Sequence, residues 1–528
     1  MNKQCNKCNQ DFEITGADVE FYKRMDVLEP ALCPDCRLQL RLSFRNERAL
    51  YADECDLCKK KIISLYSPDK NYKVYCSECW WSDKYNPLEY GMDYDPDKSF
   101  LKQCHELNKK TPKPAVVNTK SENCDFTNYA CENKNCYLSF GCLGDENAHY
   151  CYRTFYSKEV LDCYDLYKGE LSYECIECKN LFVCQYCRGC HDSNNLILCE
   201  FCKGCSDCFG CVNLMNKNYC IYNKQYTEAD YKNKLSKLLN NFAQAKQEFS
   251  NFRLQHPHRY AFIINSENST GDQIFGCKDC CNCFVFKESD NCSNSIFGSG
   301  NKECYDVNHC DNCQMHYNSA NLEKNYTVVC GNLVWYCENA YYSSNSFNTK
   351  NILGCSDVKK GCDFSILNKK YSEVEYHKLF SEIKKQMLQA GEWGEYFPAH
   401  MSPFGYNETQ SCDIFTLNKE EATAKGFNWS DYEALIAQVT ASEEIKICSI
   451  TKKPFKLMKS ELEFYKKLNI ALPTKCPEQR HRERFQLANK RKMYIRKCDK
   501  CQALIQTPYS PEDKEIVYCD KCYRDEVY

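Results

Sequence analysis

From Cys124 to Cys220 the small and apolar side chains recur at every third residue, a period that belongs neither to an α-helix nor to a simple strand. Sixteen of the seventeen cysteines in this stretch share that phase, and Cys151, Cys163, Cys175, Cys187, Cys199 and Cys211 are spaced by 12. Between them the phase is held by Thr127, Ala130, Ser139, Ala148, Ser157, Val160, Gly169, Leu181, Ser193 and Leu196, which reads as an interior column. A period of three with 12 superposed predicts a narrow β-solenoid. Twelve residues at about 3.3 Å each give a perimeter of roughly 40 Å, and coils stacked about 4.8 Å apart leave a flattened interior that admits only small side chains.

The pattern resumes at Cys277 and runs through Cys280, Cys283, Cys292, Cys304, Cys310, Cys313, Val334, Cys337, Ile352 and Cys355 to Leu367, with Cys281, Cys330 and Cys362 out of phase. Each block ends in related text, NKQYTEADY at Asn223 and NKKYSEVEY at Asn368. Helical periodicity follows both. Thr227 with Asp230 and Ser372 with Glu375 resemble N-terminal caps, after which Tyr231, Leu235, Leu238, Phe242 and Phe249, and then Tyr376, Phe380, Ile383 and Met387, form apolar faces.

The termini follow a different rule. Cys5, Cys8, Cys33 and Cys36 form one set of paired Cys-x-x-Cys knuckles, and Cys55, Cys58, Cys76 and Cys79 a second. At a constant offset of 443 residues the second set returns as Cys498, Cys501, Cys519 and Cys522. Two knuckles brought together complete the sulfur tetrahedron that structural zinc prefers. The first set returns incomplete, with Cys448 and Cys476 kept and Thr451 and Gln479 in place of the other two. His481 is a conceivable third ligand there, but loss of the metal is the simpler reading, so about three zinc ions per chain are expected.

The predicted architecture is therefore mainly β: two cysteine-rich β-solenoid blocks of about 12 residues per coil, each followed by a helix, flanked by zinc-ribbon or treble-clef-like modules. Its boundaries are a two-zinc module at 1–80, an aromatic and acidic segment with linker at 81–120, the first block at 121–225 and an amphipathic helix at 226–256. The second block at 257–370, a helix at 371–390, a connecting segment at 391–445 and the C-terminal module at 446–528 complete it. Solenoids need their open ends covered, and the modules or helices are candidate caps.

Composition adds a compartment. The chain has 528 residues, 45 of them cysteine, with 43% hydrophobic and 27% charged residues. An odd number of cysteines in a long chain, many as Cys-x-x-Cys, points to a reducing cytoplasm rather than a disulfide framework. No signal-like or membrane-spanning run is seen. A net charge of -3 gives the whole molecule no attraction for polyanions, so any nucleic acid contact must be local.

The local candidates are Arg37, Arg41, Arg45 and Arg48 and, more strongly, Arg480, Arg482, Arg484, Lys490, Arg491, Lys492, Arg496 and Lys497, interleaved with Phe485 and Tyr494. Such a mixture suits phosphates and stacked bases, although a solvated helix face has the same composition. A phosphate-binding loop, dinucleotide fingerprint, metalloprotease helix, nucleophile elbow and deaminase signature are all missing. His256 and His258 read as a domain junction.

The runs CPDCRLQLRLSFRNERALY at Cys33, IISLYSPD at Ile62, WWSD at Trp80 and GEWGEYFPAHMSPFGYNET at Gly391 resemble those of large cysteine-rich zinc-ribbon proteins of candidate-phyla bacteria. That resemblance implies zinc and a bacterial cytoplasm and supplies no activity. The expectation is a non-enzymatic zinc-binding scaffold for a macromolecular partner, with RNA, DNA or a nucleoprotein as candidates and no membrane. Its alternatives are metal storage by the cysteine ladder and an enzyme with a site on the solenoid face.

Overall fold

In the computed structural model, which describes residues 1–432 and 445–527, the period of three has a backbone cause. Every third residue from Asn147 to Tyr222 has a positive φ, 55° at Asn147 and 57° at Tyr150. Two extended residues followed by one left-handed residue turn the chain at each triplet. Asparagine tolerates this conformation because its short amide bonds locally, and Asn123, Asn135 and Asn147, twelve apart, link through their side chains at 3.2 Å. Four triplets make one rung of 12 residues. Each rung pairs in parallel with the next, Ala148 opposite Val160, Val160 opposite Ser172 and Cys208 opposite Cys220.

The in-phase residues form the buried core of this block, a cluster containing Cys151, Val160, Cys163, Cys175, Leu181, Cys187, Leu196, Cys199 and Cys211. Their chemistry follows from the ladder's carbonyls. Cys163 Sγ reaches the carbonyl oxygens of Leu161 and Ser172, both at 3.5 Å, and Cys175 repeats this with Tyr173 and Cys184 at 3.6 and 3.5 Å. Ser139 donates to Tyr137 and Ala148 at 3.2 and 3.1 Å. A small side chain with one donor fits this space and satisfies backbone acceptors that would otherwise be buried alone.

The second block repeats the scheme with two length changes. Its opening rung has a register of 11, Ile263 opposite Ile274, and its closing rung one of 13, Ile352 opposite Ser365. The extra residue explains Cys362, which rejoins the interior cluster with Cys355 and Val358. Leu367, expected in the column, instead takes a left-handed turn conformation at φ 49° and packs outside it beside Tyr376. Cys330 occupies a left-handed position and faces the carbonyl of Glu395 at 3.3 Å. Gly271 is needed in the opening rung: its φ is 128°, and a Cβ there would fall 1.8 Å from the Cys283 carbonyl oxygen.

The repeated NK(Q/K)Y text closes each ladder. Tyr222 and Asn223, with φ 47° and 63°, turn Asn218–Ile221 back onto Lys224–Gln225 in antiparallel pairing, and Leu367 and Asn368 do the same for Ser365–Ile366. Two left-handed central residues define the hairpin turn whose twist matches flanking strands. Both helix caps form, Thr227 accepting from Asp230 N at 3.2 Å and Ser372 from Glu375 N at 3.3 Å. The segment predicted as one helix at 226–256 is two, Glu228–Asn240 and Phe242–Arg253, meeting at Asn241. Its apolar face packs on Leu198, Phe209 and Ile221.

The chain divides into two compact units. One comprises residues 1–115, 261–432 and 491–493, the other residues 116–260, 445–490 and 494–527. Each therefore holds one block and one end module, the N-terminal module with the second block and the C-terminal module with the first. Residues 433–444, the last part of the expected connecting segment, and Tyr528 lie outside the described residues.

In the first unit two predicted connectors are structural. Thr111 and Lys113, within the expected linker TPKP, are buried on Asp357 at 2.6 and 2.5 Å. Leu88 packs against the interior cluster of the second block, and the Tyr85 hydroxyl donates to the Asp357 carbonyl at 2.8 Å, so Pro87–Tyr90 covers that end. The segment 81–120 is therefore a cap, with a helix at Phe100–Lys110. In the segment after 391, Trp393 is buried and donates to Asp26 O at 2.8 Å. No helix among the described residues is long and apolar enough to cross a membrane.

Candidate metal centres

Each complete cysteine set is assembled the same way. Strands Asn2–Gln4 and Asp11–Glu13 form a hairpin whose turn holds Cys5 and Cys8, while Cys33 precedes the helix Pro34–Leu42 and Cys36 sits in its first turn. Hairpin Tyr51–Glu54 with Lys61–Ser64 and helix Ser77–Trp81 hold Cys55, Cys58, Cys76 and Cys79. Hairpin Tyr494–Lys497 with Leu504–Thr507 and helix Asp520–Val527 hold Cys498, Cys501, Cys519 and Cys522. Within each set all four sulfurs lie within 4.8 Å of one another, so each can hold a metal ion.

Cross-knuckle sulfur distances are 3.7 Å for Cys8–Cys33, 3.8 Å for Cys58–Cys76 and 3.7 Å for Cys501–Cys519. Zinc–sulfur bonds of about 2.3 Å in a tetrahedron place sulfurs about 3.8 Å apart. Backbone donors prepare the thiolates. Cys76 N and Cys519 N each donate to the first sulfur of their set at 3.2 Å. Burial opposes ionisation of Cys55 and Cys498, but such N–H groups outweigh it and hold these thiols down at about 7 and about 6.

The incomplete set keeps the framework and loses the donors. Thr451 Oγ1 lies 3.6 Å from Cys476 Sγ, where Cys8 and Cys33 approach in the N-terminal copy. Among the described residues no His, Cys, Asp or Glu makes a set of three with Cys448 and Cys476. His481 packs instead against the Tyr152 ring, centroids 5.4 Å apart.

The basic candidates are distributed differently from the expected outward cluster. Arg480 and Arg484 are buried and reach Asp162 at 3.3 and 2.7 Å, with Arg480 also 3.4 Å from Glu461. Their N-terminal counterparts Arg37 and Arg41 are buried on Asp306 at 2.9 and 3.2 Å, and Arg45 is buried on Glu47. Arg48 is half-buried. Arg37 with Arg480 and Arg41 with Arg484 are internal docking pairs, because each arginine returns at the 443-residue offset onto an acid of its own block. The sequence could not distinguish them from a phosphate-binding face, since the acids lie far away in the chain.

Arg491 is buried and lies over the Phe297 ring, 5.5 Å to its centroid. Lys492 pairs with Asp35 at 3.2 Å, Arg482 with Glu478 at 3.3 Å, Lys490 with Asp513 at 3.6 Å and Arg496 with Asp499 at 3.1 Å. Lys497 is exposed. His258 is buried 4.0 Å from Glu200, and burial pushes its imidazole down to about 4.

In the first block no three thiols among the described residues lie within 4.8 Å of one another, and many are engaged with carbonyls. No protein-family model matches the chain, and no curated protein matches it significantly.

Proposed function

We propose that this is a non-enzymatic, zinc-stabilised scaffold built on two β-solenoids, each fastened to a zinc module, that presents its outer faces to a macromolecular partner. The observation that carries the reading is the parallel register of 12, from Glu122 opposite Lys134 to Cys208 opposite Cys220 in one block and over most of the other. Such stacking makes each coil depend on its neighbours and yields extended faces. Zinc is the favoured occupant of the three four-cysteine sets, because their sulfur separations match its tetrahedron. Storage of metal along the thiol column of the first block is less favoured, since among the described residues no three of its thiols converge within 4.8 Å.

The partner we favour is single-stranded nucleic acid, on a face of the first block. Phe155, Tyr167, Lys179, His191 and Lys203 stand in register on successive coils. Lys168 and Lys179 lie 5.4 and 5.7 Å from the Tyr167 ring centroid, and Tyr156 beside them is 51% exposed. Aromatic faces with interspersed cations suit bases and phosphates. Full-length protein is expected to retard single-stranded RNA or DNA in a salt-sensitive way, and Tyr167→Ala with Lys179→Glu to weaken this at least about 10-fold. No retardation at low salt rejects the partner, and iron, or fewer than three zinc ions per chain, rejects the metal assignment.

A further inference from the structure

The second block carries a polar group that its packing does not explain. His316 faces the interior, fully buried, directly opposite Cys304 of the preceding coil. Its Nδ1 lies 3.9 Å from Cys310 Sγ, and its Nε2 has no hydrogen-bond partner among the described residues. Nearby inward polar groups are satisfied: Ser289 donates to Lys287 O at 2.7 Å and Asn301 to Cys310 O at 2.6 Å. Cys304 and Cys313 bond to carbonyls at 3.3 Å, whereas Cys310, among the described residues, bonds to none.

These groups converge. One donor atom from each of Cys304, Cys310 and His316 lies within 4.8 Å of the others, and all three residues are buried. Cys313, the next inward position after Cys310, interacts through its thiol with both Cys310 and His316, although its sulfur stands outside the 4.8 Å set and must draw in to complete it. The first block shows that the fold does not require such a cluster. In the register that aligns Asp306 with Asp162, an offset of 144, Cys304, Cys310, Cys313 and His316 correspond to Val160, Leu166, Gly169 and Ser172.

We propose that Cys304, Cys310, Cys313 and His316 bind a zinc ion inside the second block. Three thiolates and one imidazole are a complete tetrahedral donor set, and enclosure on all sides suits a structural ion acquired during folding. The inference rests on side-chain distances and is independent of the partner-binding reading.

The other three sets contain no histidine, so imidazole scattering at the zinc absorption edge reports this site alone. Full-length protein reconstituted with Zn2+ under reducing conditions is expected to hold four zinc ions and to show that scattering. His316→Leu should hold three without it. His316→Cys, which keeps a donor, should hold four and still lack it. Absence of imidazole scattering from the wild-type protein overturns the site whatever the total metal count, and this measurement does not depend on either variant folding.

Discussion

In the N-terminal module Arg37 and Arg41 reach the buried Asp306, and 443 residues later Arg480 and Arg484 reach the buried Asp162. The first copy has a full set of four cysteines at the base of that helix, and the second has Cys448 and Cys476 with Thr451 and Gln479. The docking pairs are present in both copies, whereas the four-cysteine set is complete only in the first. The helix therefore has two separable supports, one fixing it within the module and one fastening it to the block. The C-terminal copy also reinforces the second. Glu461 accepts from the Tyr150 and Tyr465 hydroxyls at 2.8 and 2.9 Å and lies against Arg480, whereas its counterpart Asp18 is a half-buried capping residue of the helix Gly16–Met25.

Removing the docking acid tests this division most severely. Breaking a buried ion pair from one side costs about 3–5 kcal/mol because the remaining charge is left uncompensated. Asp162→Ala is expected to release the helix Pro477–Leu487 from its block, read as a large rise in amide exchange there, while the zinc content stays unchanged. Asp306→Ala should do the same to Pro34–Leu42, but the intact cysteine set should keep that helix folded. Equal loss of helical protection in both variants would break the comparison.

Restoring the missing metal set is the converse. Thr451→Cys with Gln479→Cys should add one zinc ion per chain and stabilise the C-terminal module by about 2.7 kcal/mol at a free zinc concentration of about 100 times the dissociation constant. The retained hairpin and helix place the two positions as in the N-terminal copy. A double variant that binds no additional zinc would mean that the framework has drifted too far for a tetrahedron.

The blocks also differ in what they bury. Asp145 lies inside the first, where the register places Ser289 in the second. Burial pushes its carboxyl up to about 7, against the opposing hydrogen bonds from Thr154 and the Ser157 amide. A raised acid is protonated in the folded state and ionised in the unfolded one between its two pKa values. Its contribution is therefore complete below an unfolded pKa of about 3.9 and is lost as pH rises through about 7, with a slope approaching 1.4 kcal/mol per pH unit. Asp145→Asn is expected to flatten that dependence in the exchange of the Ser157 amide. An unchanged slope would show that the carboxyl is already ionised in the fold.

Most of the local structure was written in the spacing of residues. Cys-x-x-Cys pairs and the 443-residue offset mark the metal sets, and the triplet phase marks the buried column, because both are short-range patterns. Pairing of distant parts was not. Nothing near Arg480 in the chain announces Asp162, and nothing near Lys113 announces Asp357, so buried ion pairs read as solvated charge and a cap read as a linker. Cys362 looked out of phase because one inserted residue in the closing rung resets the count. His316 shares the column's phase, and only the register that sets it opposite Cys304 distinguishes it from a residue that merely packs.

The smallest expected effect lies at the hairpins that end the two ladders. Asn223 uses its amide to bond both backbone groups of Val212, at 2.9 and 3.0 Å, and Asn368 bonds both of Ser356, at 2.9 and 2.8 Å. Both residues hold a left-handed turn position, where asparagine is tolerated better than alanine. Asn368 is fully buried and also donates to Pro87 O at 3.3 Å, while Asn223 is half-buried without that cover. Loss of a satisfied buried amide costs about 1–3 kcal/mol, with the larger values where water cannot replace the partner. Asn368→Ala should therefore speed exchange of the Ser356 amide more than Asn223→Ala speeds that of Val212. The reverse order would mean that Pro87–Tyr90 covers the end of the second block too loosely to exclude water, and that the hairpin alone closes each ladder.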